Sequence, residues 1–325
     1  MATMATHSTT PRYDRLQFVL GQGDPGESAI VKDALHSRGI QHIVECNGST
    51  DRLFNALDGG IADLVVYDFD LLRDRFADVM QHVRKKVRGL NPFVVIVAMV
   101  DDSNTDTVRR LVKAGVDDLI RRPVTSQRLF QTIGNMMALR KPFVVSHDYV
   151  GPSRRVSRRG ESATDNPLIR VPNTMRSRAI DNVTEEELQG IVEKAVAELR
   201  DRQLVACAAE LRGLSRTLSE TYAAARMAAE RYAEVHILLL RIEAAADDLR
   251  DRSAGTRFER ISDLAQMVLA LTQRIERAGS GKATVEIQLL VKLAEAIHRT
   301  LAVERDSLGI AADIANTIAR FTGPH

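Results

Sequence analysis

The chain has no tryptophan, and aromatic residues make up only 4% of its 325 positions. Its cores must therefore be built mainly from Leu, Val, Ile and Ala. It has two cysteines, Cys46 and Cys207, far apart in sequence. They cannot by themselves supply a disulfide framework or a metal site, and a reducing cytoplasm is the expected setting. No apolar run approaches the ~20 residues needed to span a bilayer, so membrane insertion is not expected. The start, Met1 to Pro11, is polar and lacks the apolar stretch of a secretory signal. Formal charges almost cancel, at +2. The whole chain gives no electrostatic case for binding nucleic acid, which is not expected as a partner. What is present, 44% hydrophobic and 27% charged residues, is a globular composition. The length suggests two domains.

Residues 16–140 alternate short apolar runs with stretches of helical spacing. The runs are Leu16–Leu20, His42–Val44, Asp63–Tyr67, Phe93–Val97 and Asp118–Ile120. They are rich in β-branched residues, as strands buried on both faces require. Helical spacing covers Ala29–Ser37, Thr50–Leu57 and Val108–Ala114, the last followed by Gly115, a common helix stop. Strands alternating with helices imply right-handed βαβ units and a parallel sheet. Five such units predict a flavodoxin-like doubly wound domain over 15–141, after a disordered N-terminus at 1–14.

The stretch 142–181 differs. It carries seven arginines between Gly151 and Ile180, opposed by Glu161 and Asp165, together with Pro142, Pro152, Pro167 and Pro172. It reads as an Arg/Pro-rich linker with little regular structure. From 182 to 325 the pattern is helical. Thr184 and Glu187 form a capping box, with Glu185 and Glu186 suited to a helix start. From Leu204 to Leu249 the apolar positions step by three and four, a sustained heptad seam. The step from Leu199 to Leu204 breaks it, which predicts a stutter or bend there. Further helices are expected over Phe258–Arg277 and Val285–Asp306, with a short one after Gly309. A helix of ~46 residues would be ~69 Å long, more than the remaining helices of one chain can cover. A bundle or coiled coil that self-associates, as a homodimer or larger, is therefore expected.

Two segments carry a resemblance. Leu64-Val65-Val66-Tyr67-Asp68 ends a strand in an acid, and Ala114-Gly115-Val116-Asp117-Asp118-Leu119-Ile120-Arg121-Arg122-Pro123 resembles the "AGADDYLxKP" run of response-regulator receiver domains. The resemblance covers residues 16–140 and implies a CheY-like fold and a role in signal transduction. In that family an Asp ending the third strand accepts a phosphoryl group. Two acids after the first strand hold Mg²⁺, a Ser or Thr after the fourth reads the phosphate, and a Lys after the fifth pairs with it. Cations are needed because a carboxylate attacks an anionic phosphorus centre poorly while its charge is unneutralised. Here Asp68 matches the acceptor. The acidic pair falls at Gln22 and Gly23, with Asp24 next. The hydroxyl position falls at Ala98 or Val97, and the Lys position at Arg122, a cation of different shape and donor geometry. The resemblance thus implies a pseudo-receiver in which Asp68 pairs with Arg122. The alternative is a phosphorylatable regulator, with Asp24, Asp70 and Asp68 available to a cation, since oxygen ligands suit Mg²⁺.

Arg154, Arg155, Arg158 and Arg159 match phosphate oxygens in donor geometry and resemble the RxxxR element of PilZ-type cyclic-di-GMP binders. The companion motif of that element is absent, so a solvated basic linker is the simpler reading. Gly279-Ser280-Gly281-Lys282 lacks the first Gly and final Ser/Thr of a P-loop and reads as a turn between helices. His236 and His298 lack the neighbourhood of a phosphotransfer histidine. No enzymatic output motif is present, no cofactor is expected, and Mg²⁺ enters only with the phosphorylatable alternative. The sequence predicts a cytoplasmic signalling protein that is not an enzyme and works through protein partners.

Overall fold

A computed structural model describes residues 11–86, 89–101, 105–154, 168–225, 232–278 and 282–302. Contacts divide the chain between Leu199 and Arg200 into two units. The first unit is built on a five-stranded parallel sheet of β1 (Gln17–Gly21), β2 (His42–Glu45), β3 (Leu64–Asp68), β4 (Val95–Val100) and β5 (Asp118–Arg121), in the order 2-1-3-4-5. All pairings are parallel, with Phe18 beside Leu64, Asp68 beside Met99 and Ala98 beside Leu119. This is the flavodoxin-like, CheY-like doubly wound order, as the alternating pattern predicts. The helices are α1 (Pro25–Ser37), α2 (Thr50–Asp58), the single turn α3 (Phe69–Leu72), α4 (Phe76–Arg84), α5 (Thr105–Ala114) and α6 (Ser126–Ala138).

Strand alternation sorts the core into two layers. Val19, Val65, Tyr67, Ile96 and Ala98 pack with Leu53, Phe76, Met80 and Leu111 from α2, α4 and α5. Their neighbours Phe18, Leu20, Leu64, Val66, Val97 and Met99 pack with Val31, Leu35, Leu129 and Ile133 from α1 and α6. The central strands β3 and β4 are buried throughout, which is why they read as unbroken apolar runs.

Two boundaries need correction. Residues 11–14 are not loose: the Arg12 N–H donates to the Ala179 carbonyl at 2.7 Å, and Tyr13 packs edge-on to Phe130. Residues 1–10 lie outside the described residues. The supposed linker 142–181 holds a hairpin of β6 (Phe143–Val145) and β7 (Val150–Pro152), a bridge from Phe143 to Ile169, and α7 (Thr174–Ala179). Phe143, Val145, Val150 and Ile169 form a further core with Ile61 and Phe93, joined by Leu188, Val192, Val196 and Leu199. An arginine-rich composition does not place this segment in solvent, because Arg178 is buried. It donates to Ile61 O at 2.7 Å, to Asp63 at 2.6 Å and to both oxygens of Glu185. A second buried network joins β4, β5 and the chain after α6. Arg84 donates to Gly115 O, Pro92 O, Val94 O and Asp117, and Arg140 also pairs with Asp117. Both arginines lie against the Phe143 ring.

The second unit is helical. α8 (Glu185–Ala225) contributes from residue 200 onward, followed by α9 (Tyr232–Ser253), α10 (Glu259–Ala278) and a helix over 284–302, named α11. Side-chain partners fix their directions. Gln203 meets Arg252, Cys207 meets Asp248 and Glu210 meets Arg241, so α8 and α9 are antiparallel. Glu243 with Thr272 and Glu276 with His236 make α9 and α10 antiparallel. Arg274 with Glu286 and Arg216 with Glu295 do the same for α11 against α10 and α8. The result is an up-down-up-down four-helix bundle.

This overturns the expectation of one ~46-residue helix with a seam too long for its own chain. The seam belongs to two helices that lie side by side. Leu204, Leu211, Leu218, Val235, Ile242 and Leu249 are buried in one core with Ile261, Val268, Leu290 and Ile297. The break after Leu199 does not end a helix either. It marks where α8 leaves the first unit's core and enters the second's. Residues 226–231 and 279–281, and the helix expected after Gly309, lie outside the described residues. Among the described residues no helix is long and apolar enough to cross a membrane.

Candidate functional site

The site lies at the C-terminal ends of β1, β3, β4 and β5, where doubly wound sheets bind ligands. Asp68 is the last residue of β3 and caps α3: its Oδ1 accepts the Asp70 N–H at 2.9 Å. It is only 4% exposed. Its other oxygen, Oδ2, is held by the Arg122 guanidinium. Arg122 follows β5, and its backbone N–H is fixed on Val100 O at 2.9 Å. The same guanidinium reaches Asp101 at 3.0 Å, Glu27 at 3.3 Å and Asp70 at 3.6 Å. One cation thus faces four carboxylates. Burial pushes the Asp68 carboxyl up, while the Asp70 N–H and Arg122 pull it down. Burial opposes the charge on Arg122, but Asp68 and Asp101 outweigh it and make the guanidinium more basic than usual.

The remaining positions surround this pair. Gln22 is 3% exposed and donates through Nε2 to Glu27 at 3.0 Å, while its Oε1 has no hydrogen-bond partner. Gly23 packs closely here: a Cβ there would stand 2.9 Å from Leu71 Cδ2, which would have to shift, and 3.7 Å from Asp68 Oδ2. The Asp24 carboxylate is engaged elsewhere, accepting the Glu27 N–H at 2.8 Å as the cap of α1. The strand register shifts the expected hydroxyl position: Val97 lies beside Val66 and Ala98 beside Tyr67, while Met99 stands beside Asp68, and none of the three carries a hydroxyl. A divalent cation fits this arrangement poorly. The acidic pair is an amide and a glycine, Asp24 is turned to the helix start, and the Asp68 oxygen facing the pocket already has a cation.

The structure therefore brings together Asp68, Arg122, Asp70 and Gln22, with Gly23 packed above Asp68. Glu27 and Asp101 also belong to the site and were missed in the sequence. Asp101 immediately follows β4 and Glu27 sits in the first turn of α1, and neither position by itself signals a contact with Arg122. Gly21-Gln22-Gly23-Asp24-Pro25-Gly26 has dinucleotide-turn spacing between β1 and α1, with Glu45 ending β2. Its glycines have another use: a Cβ at Gly21 would strike the Tyr67 ring at 2.0 Å. Glu45 is occupied by Lys32 at 2.8 Å and Ser28 at 3.2 Å. A pyrophosphate would also meet the carboxylates around Arg122.

Of the linker arginines, Arg154 is described. Its guanidinium donates to the Val116 carbonyl. Arg155, Arg158 and Arg159 lie outside the described residues. His298 stands beside Arg212 at 3.3 Å. Burial, then Arg212, holds its imidazole below the usual range.

No protein-family model matches the chain, and no curated protein matches it. Among solved structures, a response-regulator CheY-like protein from Mesorhizobium loti is 20% identical, over 37% of this chain and 98% of that one, with a TM-score of 0.30. A CheY-like protein, TadZ, from Pseudomonas aeruginosa PAO1 is 21% identical over the same shares, with a TM-score of 0.30. Such similarity concerns the fold of the first unit alone, which the strand order establishes by itself.

Proposed function

We propose that the chain is a pseudo-receiver signalling protein that acts through protein partners and carries out no phosphoryl transfer. The observation that carries this reading is the Arg122 guanidinium on Asp68. Both oxygens of that carboxylate are engaged, one by the Asp70 N–H and one by Arg122. A nucleophile must present a free oxygen to phosphorus, and a cation must bridge it to the incoming phosphoryl oxygens. Here the cation is tethered through β5 and shared with Glu27, Asp70 and Asp101. Val97, Ala98 and Met99 all lack a hydroxyl, which removes the group that would sense a phosphate. The site then serves as a fixed ion-pair hub that locks the ends of β3, β4 and β5. Recognition falls to the outer surfaces of the two units. The heptad seam is filled within the chain and gives no support to self-association.

Incubation with Mg²⁺ and beryllofluoride or acetyl phosphate, read by intact-protein mass spectrometry and ¹⁹F NMR, tests the reading. No adduct is expected. An adduct that forms in the wild type and disappears in Asp68→Asn would replace it with a phosphorylatable regulator. Light scattering would establish the oligomeric state independently.

A further inference from the structure

At one end of the bundle three helices part around a cavity of about 380 Å³. Its aliphatic lining comes from Val235 and Leu239 of α9 and Ile275 of α10. The rest is unlike the core beneath it. Tyr222 of α8 and Tyr232 of α9 meet there edge to face, with ring centroids 6.3 Å apart and planes at 83°. Glu276 of α10 and His236 of α9 complete the lining, with Glu276 Oε1 3.4 Å from His236 Nδ1.

Three features argue against a simple gap between helices. The chain has only five tyrosines and no tryptophan, yet two of the tyrosines converge here. Among the described residues of the bundle the other aromatic is Phe258. Tyr222 is also held in place, its hydroxyl accepting the Ala283 N–H at 2.8 Å. The volume falls within the ~300–1,000 Å³ typical of small-molecule sites, which combine an apolar wall with a few convergent polar groups. A fault in an aliphatic bundle would be lined by more of the same aliphatic residues.

We propose that this cavity is a binding site for a small organic amine with an aromatic or branched apolar body. The body fills the space beside Val235, Leu239 and Ile275. The ammonium takes the place beside Glu276 that the His236 ring now holds, within reach of the tyrosine π-faces. A cation is favoured there twice, by the carboxylate and by the ring quadrupoles. An anion of the same shape would face Glu276 and be rejected.

The test uses the full chain and three probes of one shape: 2-phenylethylamine, 2-phenylethanol and phenylacetate. Calorimetry should give millimolar or tighter binding for the amine, about tenfold tighter than for the alcohol, with the acid weaker still. Glu276→Gln should erase the advantage of the amine over the alcohol. Tyr232→Leu should weaken both, with unchanged circular dichroism for each variant. In the wild type, NMR of ¹³C-labelled tyrosine should show amine-induced shifts at Tyr222 and Tyr232 and none at Tyr13, Tyr67 or Tyr149. No binding of the amine at millimolar concentration overturns the proposal. So does equal binding of all three probes, or shifts confined to the other tyrosines. The NMR result needs no variant, so the proposal stays open to refutation even where a substitution unfolds the bundle.

Discussion

Arg178 and Asp63 lie 115 positions apart and meet at 2.6 Å, with side-chain exposures of 2% and 0%. Asp63 also accepts the Gln17 N–H at 3.0 Å, so the pair ties α7 to the starts of β1 and β3. Burial already pushes the Asp63 carboxyl up, and removing Arg178 takes away the charge that opposes it and leaves a buried carboxyl without its main partner. Arg178→Ala should lower the unfolding free energy of the first unit by about 3–5 kcal/mol. Urea denaturation followed by fluorescence of the tyrosines would measure it. A loss under about 1 kcal/mol, the range of a surface pair, would mean that the bond contributes little.

The same argument predicts that residues 15–141 alone are not the folding unit. Ending the chain at Lys141 removes Phe143, Val145, Val150 and Ile169 from the core that covers Phe93, and strips Asp63 of Arg178. Such a fragment should show exposed apolar surface by dye binding and a lower melting temperature than a fragment ending at Leu199. Equal melting of the two would place the domain boundary back at the end of α6.

Asp117 gives the first unit an acid limit. Burial alone would raise its carboxyl, but Arg140 and Arg84 hold it below the ordinary value. The native state therefore binds the proton less well than the unfolded chain. The stability contributed is fully present above about pH 3.9, the unfolded value, and is lost as pH falls through the lower native value. Asp117→Asn should lower stability at pH 7 and flatten its loss on acidification. A parallel acid profile in wild type and variant would remove Asp117 as the titrating group. Arg84, buried and drawn down to about 10, stays charged throughout this range.

Arg122→Ala tests the hub with the opposite sign. Burial already pushes the Asp68 carboxyl up, and removing the guanidinium takes away an opposing pull. The native state of the variant then holds the Asp68 proton more tightly than the unfolded chain. The Asp68 contribution to its stability should be greatest below about pH 3.9 and decline as pH rises through the raised native value. Adding Asp68→Asn should recover much of the loss at pH 7. If the single variant is no weaker at pH 7 than at pH 5, the ion pair is not what holds the strand ends.

In the bundle, Ile242 is fully buried among residues of all four helices. Ile242→Ala should cost about 2–5 kcal/mol through lost transfer energy and the cavity left behind. Helical circular dichroism during thermal melting would register it, and a change under about 1 kcal/mol would contradict the packing described.

The five strands were legible because period and composition are local properties: β3 and β4 are buried on both faces and read as continuous apolar runs, while the order 2-1-3-4-5 followed only from the doubly wound fold class. Asp68 and Arg122 were legible through the resemblance. Glu27 and Asp101 were not, since their role exists only once Arg122 is placed among them. The helical seam was read correctly as apolar and wrongly as one helix, because a heptad pattern looks the same on either side of a reversal. Arg84 and Arg178 escaped notice for the same kind of reason. An arginine's burial depends on partners that sequence does not bring near.

α8 belongs to two cores at once, its turns through Leu199 in one and those from Leu204 in the other. The first turn of a helix is its costly step, and extending a formed helix is cheap. Whichever unit folds first on a newly made chain therefore hands the other a ready nucleus. Folding of the two halves is linked in time through a segment that needs no side-chain contact to do it.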